Sequence, residues 1–215
     1  MKNFIFLLAL VMAFPASALA MPAAELAARL QGSYDATRDL KADFTQVSTV
    51  KAMNIKKEGS GRLVIKKPGL LRYTYTKPEK QEMIVRGDEL IMYIPSSNQV
   101  IKKKLDRAAM DRTSSTFLAG LGRITDSFEP RIPKTGGKDV KGNLLLELVP
   151  KGDGMGVEKI TLALEPETYR IKSFSFAETS GNVNTVSLSN VKTNTGVKES
   201  AFDFKIPKGT SLIAE

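Results

Sequence analysis

The chain has 215 residues, a formal net charge of +9, and neither cysteine nor histidine. Without cysteine there can be no disulfide, no thiol nucleophile and no lipidated cysteine. Without histidine there can be no Ser-His-Asp triad, and the commonest zinc ligand is missing. We therefore expect a protein that is not an enzyme and that holds no metal and no cofactor.

Residues 1–20 have the organisation of a cleavable export signal. Lys2 precedes an apolar run from Phe4 to Phe14, and Ala18-Leu19-Ala20 provides an A-x-A cleavage site. The alternative is a membrane anchor, but this run of about 11 residues is shorter than the roughly 20 that span a bilayer. We predict one exported domain, residues 21–215, which is soluble after cleavage.

The mature chain is predicted to begin with an amphipathic helix and to continue as short strands. Leu26, Leu30 and Tyr34 recur every fourth residue between Pro22 and about Leu40. After Asp43 the apolar period becomes two, and tight turn signals separate the strand candidates, which favours an antiparallel meander. The predicted strands are 44–50, 59–67, 70–76, 81–86, 89–94, 98–103, 127–132, 143–149, 158–164, 169–178, 183–191 and 202–205.

A second helix is predicted over residues 105–124, where the strand pattern breaks. Gly120 and Gly122 weaken it by roughly 1 kcal/mol each relative to alanine. Two modest helices cannot bury the apolar face of about eleven strands, so we expect a sheet curled toward a barrel with the helices at its mouth. Its interior would be either an apolar cavity or an ordinary packed core, and periodicity alone leaves both open.

The positive charge favours anionic or acidic partners, but its distribution does not indicate nucleic acid. Lysines and arginines are scattered, the densest run being Lys102-Lys103-Lys104, and no aromatic–basic interleaving is present. In an exported protein, membrane and protein surfaces are the expected partners.

Several sequence blocks, in order and correctly spaced, resemble the LolA-type periplasmic lipoprotein carriers of Gram-negative bacteria. Ala42-Asp43-Phe44-Thr45-Gln46 is similar to the family's first-strand motif, and the block from Gly61 to Tyr73 to its G-x-l-x-x-k-r-P-x-x-f-r-w pattern. The segment from Gly87 to Tyr93 matches a strand pair, Gln99-Val100 the following strand, and residues 202–209 resemble the ending F-x-f-x-x-P-x-G.

The resemblance implies an incomplete, half-open antiparallel β-barrel with a helical lid over an apolar cavity. It also implies a periplasmic chaperone without catalysis, and we expect it to be a monomer. Its cargo would be acylated lipoproteins, received from an ATP-driven release complex in the inner membrane and passed to an outer-membrane acceptor. That acceptor is itself lipidated, which Met21 after the cleavage site does not permit here.

Two sets of residues are expected to form the binding site. The first would line the cavity: Leu63, Ile65, Leu71, Tyr73, Tyr75, Met83, Val85, Leu90, Met92, Phe174 and Phe176. The second would form the underside of the lid: Met110, Phe117, Leu118 and Leu121. For each cavity residue, packing in the core and contact with an acyl chain are both compatible with the pattern.

Two departures from the family pattern concern the latch that closes the lid. Lys67 stands where many members have arginine before the proline, and it lacks the planar guanidinium fork. Arg72 is the other candidate latch, although strand parity places it opposite Tyr73, toward solvent. The second departure is that the family's usual tryptophans are absent.

Two further functions remain as alternatives. The same fold could carry or sense another lipid or a glycolipid, which the two departures would accommodate. An enzyme using carboxylates such as Glu82, Asp88 or Glu89 is the less favoured alternative, because no catalytic constellation is visible.

Overall fold

The structure, a computed structural model, describes residues 21–105, 122–152 and 156–214. The predicted signal, residues 1–20, and most of the second predicted helix lie outside the described residues. Within the described ranges, no helix is both long and apolar enough to cross a bilayer.

Helix α1 spans Ala23–Asp35 and begins directly after Pro22, whose fixed φ suits a helix start. Leu26, Ala27 and Leu30 are its buried residues, in agreement with the predicted apolar stripe. The helix ends about five residues before the predicted boundary, because Asp39 already belongs to the first strand.

The described strands form one open sheet of twelve strands. Their order across the sheet is β12-β6-β5-β4-β3-β2-β1-β11-β10-β9-β8-β7, and the edge strands β7 and β12 do not pair with each other. The bounds are β1 Asp39–Val50, β2 Ile55–Lys66, β3 Leu70–Lys77, β4 Gln81–Arg86, β5 Glu89–Ile94, β6 Gln99–Lys104, β7 Phe128–Arg131, β8 Leu144–Pro150, β9 Val157–Leu164, β10 Ile171–Glu178, β11 Val183–Thr193 and β12 Ser211–Ala214. A four-residue helix α2, Ile124–Ser127, precedes β7.

Tight turns join most neighbouring strands, as the sequence predicts. Gly69 adopts φ 70° in the β2–β3 turn, and Asn54 adopts φ 50° between β1 and β2, a conformation that asparagine tolerates. Gly61 is needed for a different reason: a Cβ placed there would lie 2.0 Å from the carbonyl oxygen of Thr74 on β3.

Both faces of the sheet carry apolar clusters. The inner face, which α1 covers, holds the larger cluster, with contributions from β1–β4 and β8–β11. The outer face of β2–β6 is covered by the segment 197–204, whose Val197 and Phe202 pack with Ile84, Ile91 and Val100. The sheet is therefore sandwiched on one half, which the sequence prediction of a single covered face missed.

Two features of the predicted strands are wrong: the position of the last strand and its direction. The strand predicted at 202–205 does not form, because the chain makes a 3-10 helix at Glu199–Phe202 on the outer face. The last strand is β12 instead, Ser211–Ala214, so the number of strands stays at twelve. β12 runs parallel to β6, with Leu212 opposite Val100, so the sheet is not entirely antiparallel.

Candidate functional site

The eleven predicted cavity residues meet on the inner face of the sheet, in one cluster with α1. Side-chain alternation along β2 to β5 and along β10 places them there, and intervening residues of β4 and β5, such as Ile84 and Ile91, belong to the outer cluster. Eight of the eleven are buried, whereas Tyr75, Leu90 and Met92 are partly exposed at its margin. The structure thus brings the predicted residues together, packed against one another.

An aromatic group occupies the middle of the inner face. Phe44 on β1 packs edge-on against Tyr73 and Tyr75 of β3, with ring centroids 5.0 and 4.9 Å apart. Phe174 and Phe176 on β10 make a similar perpendicular contact at 6.1 Å. Such edge-to-face pairs stabilise a particular arrangement of the rings, so this part of the face has a defined shape.

Polar side chains border this aromatic group toward the β1–β2 turn. The Tyr75 hydroxyl donates to Gln46 Oε1 at 2.7 Å, and Gln46 Nε2 donates to Asn184 Oδ1 at 2.8 Å. The Ser48 hydroxyl donates to the same Asn184 oxygen. These bonds give the glutamine of the Ala42–Gln46 motif a structural role, which the sequence alone did not reveal.

The two tyrosines of the face are uncharged at neutral pH, and burial makes their ionisation still harder. Burial raises the pKa of Tyr73 far above its ordinary value, and the neighbouring Tyr75 adds to the rise. Burial also raises the pKa of Tyr75. Because neither phenol ionises near neutral pH, the inner face stays uncharged there and suits an apolar ligand.

A small cavity lies beneath the C-terminal half of α1. Its volume is about 60 Å³, and its apolar lining includes Leu30, Leu40 and Ile65 together with the ring of Tyr34. Ligand pockets for drug-sized molecules usually measure about 300–1,000 Å³, so this conformation has no room for an acyl chain at that point. An acyl chain would fit there only if this space widened, by displacement of α1 or of residues 169–171, which also line it.

Lys67 connects the β2–β3 turn to the end of α1 beside this cavity. Its ammonium donates a hydrogen bond to the backbone carbonyl of Tyr34 and lies 3.4 Å from the centroid of the Tyr34 ring. Desolvation by burial lowers the pKa of Lys67, and the charge of Asp35 partly offsets that effect. One of the two candidate latch residues therefore does hold a helix carbonyl, although on α1.

Arg72, the other candidate latch, lies on the outer face, as strand parity predicts, but it is not simply solvated. Its guanidinium donates to the carbonyl of Ala201 at 2.9 Å and forms an ion pair with Glu82, and the side chain is only 25% exposed. Arg72 thereby fixes the segment 197–204 to the sheet, on the side opposite the cavity.

Asp39, the one buried charged residue of the described chain, was not singled out by sequence reasoning. Its carboxylate accepts bonds from the backbone N–H groups of Thr195 and Gly196, at 2.7 and 3.0 Å, and from the Thr195 hydroxyl. Burial would raise the pKa of Asp39, but these bonds together outweigh it and hold the pKa below its ordinary value of 3.8. In the sequence, the only indication of this interaction was the turn-like run Asn194-Thr195-Gly196.

Two of the three carboxylates considered for an enzyme, Glu82 and Glu89, form ion pairs in the described structure. Glu82 pairs with Arg72, and Glu89 pairs with Lys102 at 3.0 Å. No group of three acidic side chains that could hold a metal ion occurs among the described residues. The predicted lid residues Met110, Phe117, Leu118 and Leu121 lie outside the described residues.

Comparison with known proteins agrees with this architecture. The sequence model of the family described as outer membrane lipoprotein carrier protein LolA matches residues 35–205. The chain belongs to this family. Its match includes β1 to β11 and the outer-face segment, but not β12 or the buried residues of α1.

Relatives of the LolA family resemble the chain over most of its length. An outer-membrane lipoprotein carrier protein from Methylococcus capsulatus is 27% identical over 187 residues, which cover 87% of this chain and 86% of that protein. A protein of the same name from Azotobacter vinelandii is 27% identical over 188 residues, covering 87% of both chains.

A solved structure shows the same fold at lower sequence identity. An uncharacterized conserved protein from Thermus thermophilus is 16% identical, with a TM-score of 0.56 over 90% of this chain and 99% of that one. This likeness supports the open-sheet architecture and carries no information about a ligand.

Proposed function

We propose that this protein is a periplasmic chaperone that binds the acyl chains of lipoproteins on the inner face of its sheet. The observation that carries the proposal is the continuous apolar inner face of a LolA-family chain. Among the described residues this face is covered by α1 and has no buried charge, because Asp39, the one buried charge, shares the opposite face with Lys66. Transfer of an acyl chain from water to such a face is favourable by about 0.8 kcal/mol per CH₂.

The physical task is reversible shielding. In the closed conformation the face is filled by its own side chains, so cargo binding exchanges contacts with α1 for contacts with acyl chains. Met83 and Met92 suit this exchange, because their unbranched side chains adapt to irregular ligands. Since the exchange leaves little net gain, the cargo can also be released.

The route of the cargo follows from the family resemblance and forms part of the proposal. The carrier would receive acylated lipoproteins from an ATP-driven release complex in the inner membrane. It would deliver them to an acceptor in the outer membrane, working as a monomer without catalysis or a cofactor. Residues 1–20 would direct export to the periplasm and be removed.

A release assay tests the carrier function. Residues 21–215 are mixed with membrane vesicles that contain the release complex and a radiolabelled acylated lipoprotein, and ATP is added. We expect a soluble complex of carrier and lipoprotein that requires ATP. If the lipoprotein stays with the vesicles while the complex hydrolyses ATP, the proposal is wrong.

A matched pair of photo-crosslinking positions tests the binding face. Met92 and Tyr93 are neighbours on β5, both partly buried, but Met92 belongs to the inner cluster and Tyr93 to the outer one. With a benzophenone side chain at either position, we expect crosslinks to the acyl chains from position 92 only. If position 93 is labelled as strongly as position 92, acyl binding is not confined to the inner face and this part of the proposal is wrong.

A second candidate is transport of an anionic lipid on the same face. Arg38, Lys67 and Arg170 border the small cavity, and their charges would complement a phosphate or carboxylate headgroup. Native mass spectrometry of protein purified from its own periplasm discriminates the two. A bound free lipid without any acylated protein would favour lipid transport over lipoprotein carriage.

A further inference from the structure

The turn end of the β1–β2 hairpin extends beyond the neighbouring strand β3. We call residues 47–58 the hairpin tip. The β2–β3 pairing begins at Ser60 opposite Lys77, so residues 55–59 of β2 have no partner strand on that side. At about 3.3 Å per residue, this unpaired stretch extends roughly 17 Å beyond β3.

The hairpin tip is nevertheless held firmly on its other side. β1 pairs with β11 as far as Thr49 opposite Val183. The backbone N–H of Lys51 also donates to the side-chain oxygen of Asn182 at 3.1 Å. The tip is therefore a supported projection and not a loose loop.

Three of the large apolar side chains on the tip are in contact with water. Val47 is 37% exposed, Met53 61% and Ile55 42%. They point in different directions: Val47 shares the outer face with Lys56, Ile55 lies on the inner face with Lys57, and Met53 is in the turn itself. Apolar groups on all sides of a projection do not form the flat patch that a folded protein partner would cover.

Lysines surround these apolar groups. Lys51, Lys56 and Lys57 are exposed, and none forms an ion pair with any residue that the structure describes. Glu58 is the one acidic residue of the tip, so its net charge is positive. Long lysine side chains can keep the ammonium at the level of lipid headgroups while their methylenes lie against apolar surface.

We propose that the hairpin tip is a docking site for an anionic phospholipid bilayer. Met53 and Ile55 would enter the interface, and the three lysines would contact the headgroups. The inference goes beyond the carrier function, because it concerns the contact of the protein with the membrane surface and does not depend on the cargo. An attraction of this kind is weakened by salt, so the docked carrier can leave again.

Vesicle sedimentation of residues 21–215 tests this docking. We compare vesicles of pure phosphatidylcholine with vesicles containing phosphatidylglycerol, at low and high salt. We expect binding to the anionic vesicles at low salt and its loss at high salt. The variant K51Q/K56Q/K57Q should bind more weakly by about fivefold for each lysine, and M53S/I55S should also bind more weakly.

The matched control removes the same charge elsewhere. K134Q/K138Q/K208Q changes three exposed lysines outside the tip and should retain most of the binding. Thermal unfolding must show that all variants are folded. The proposal is overturned if no vesicles bind the protein, if phosphatidylcholine binds it equally well, or if the control loses as much affinity as the tip variant. In contrast, failure of the ATP-dependent release assay with intact vesicle binding would affect only the carrier proposal.

Discussion

Replacement of Lys67 by methionine tests whether the contact with Tyr34 holds α1 closed. The change keeps most of the side-chain volume but removes the hydrogen bond to the Tyr34 carbonyl and the contact with its ring. A hydrogen bond from a charged donor contributes about 1.5–3 kcal/mol and an exposed cation–π contact about 0.5–1 kcal/mol. Because Lys67 is only half-buried, we take the lower part of this range, about 2 kcal/mol in total.

Two measurements follow from that value. A loss of about 2 kcal/mol lowers the midpoint of thermal unfolding by about 4–8 °C for a domain of this size. If the loss falls on the closed conformation, the ratio of open to closed protein rises about 30-fold, since 1.4 kcal/mol corresponds to a factor of ten. An apolar fluorescent probe that binds the inner face should then bind correspondingly more tightly, as long as the open form is the minor one.

Two further variants separate a latch from a merely stabilising contact. Lys67→Arg should keep the closed state, because a guanidinium can donate to the same carbonyl, and Lys208→Met should change neither measurement. If Lys67→Met lowers the unfolding midpoint but leaves probe binding unchanged, Lys67 stabilises the fold without controlling access, and the reasoning is refuted.

Three other substitutions have defined outcomes. Asp39→Asn should destabilise the protein at neutral pH. Because the pKa of Asp39 is lowered in the folded state, its charge contributes to stability above about pH 4, and this contribution is lost as the pH falls through the folded-state pKa. The free energies of unfolding of wild type and variant, measured in urea, should therefore converge at acid pH. Arg72→Met should loosen the segment 197–204 by about 1–3 kcal/mol, measurable as faster amide exchange there, with acyl binding unchanged. Gly61→Ala should destabilise the protein severely, because the added Cβ would meet the Thr74 carbonyl. If the variant unfolds at the same denaturant concentration as the wild type, β2 and β3 do not approach each other so closely.

The residues of the inner face could be predicted from the sequence because the alternation of side chains along a strand is a local property. Strand alternation alone places Leu71, Tyr73 and Tyr75 on one side and Arg72 on the other, and the structure has them so. The same reasoning separates Met92 from Tyr93 on β5. A period-two pattern in a sheet with one main apolar face leaves little freedom of register.

The cover of the outer face could not be predicted in the same way. Residues 202–205 alternate like a strand, yet Phe202 is buried in a helical turn against Ile84 and Val100. Contacts distant in sequence override the local pattern here. The hairpin tip was missed for the same reason, since the lysine-rich start of β2 becomes a strand only through its pairing with β1.

Helix α1 covers the inner face and the segment 197–204 covers the outer face, and the contacts that hold them differ in a way that indicates which side of the sheet opens. Ion pairs and hydrogen bonds hold the segment 197–204, through Arg72 to Ala201 and Arg86 to Asp203. Helix α1 is held by its buried apolar residues, by a contact of Arg29 with the Tyr169 ring and by hydrogen bonds such as Lys67 to Tyr34 and Gln31 to Ile124, and no described ion pair joins it to the sheet. On the outer side of the sheet, beside Lys66, Asp39 also binds the turn at residues 195–197, which leads into the segment 197–204. Because these charged contacts secure the outer cover and not α1, we expect α1 to move away from the sheet, so that the inner face opens while the outer face remains covered.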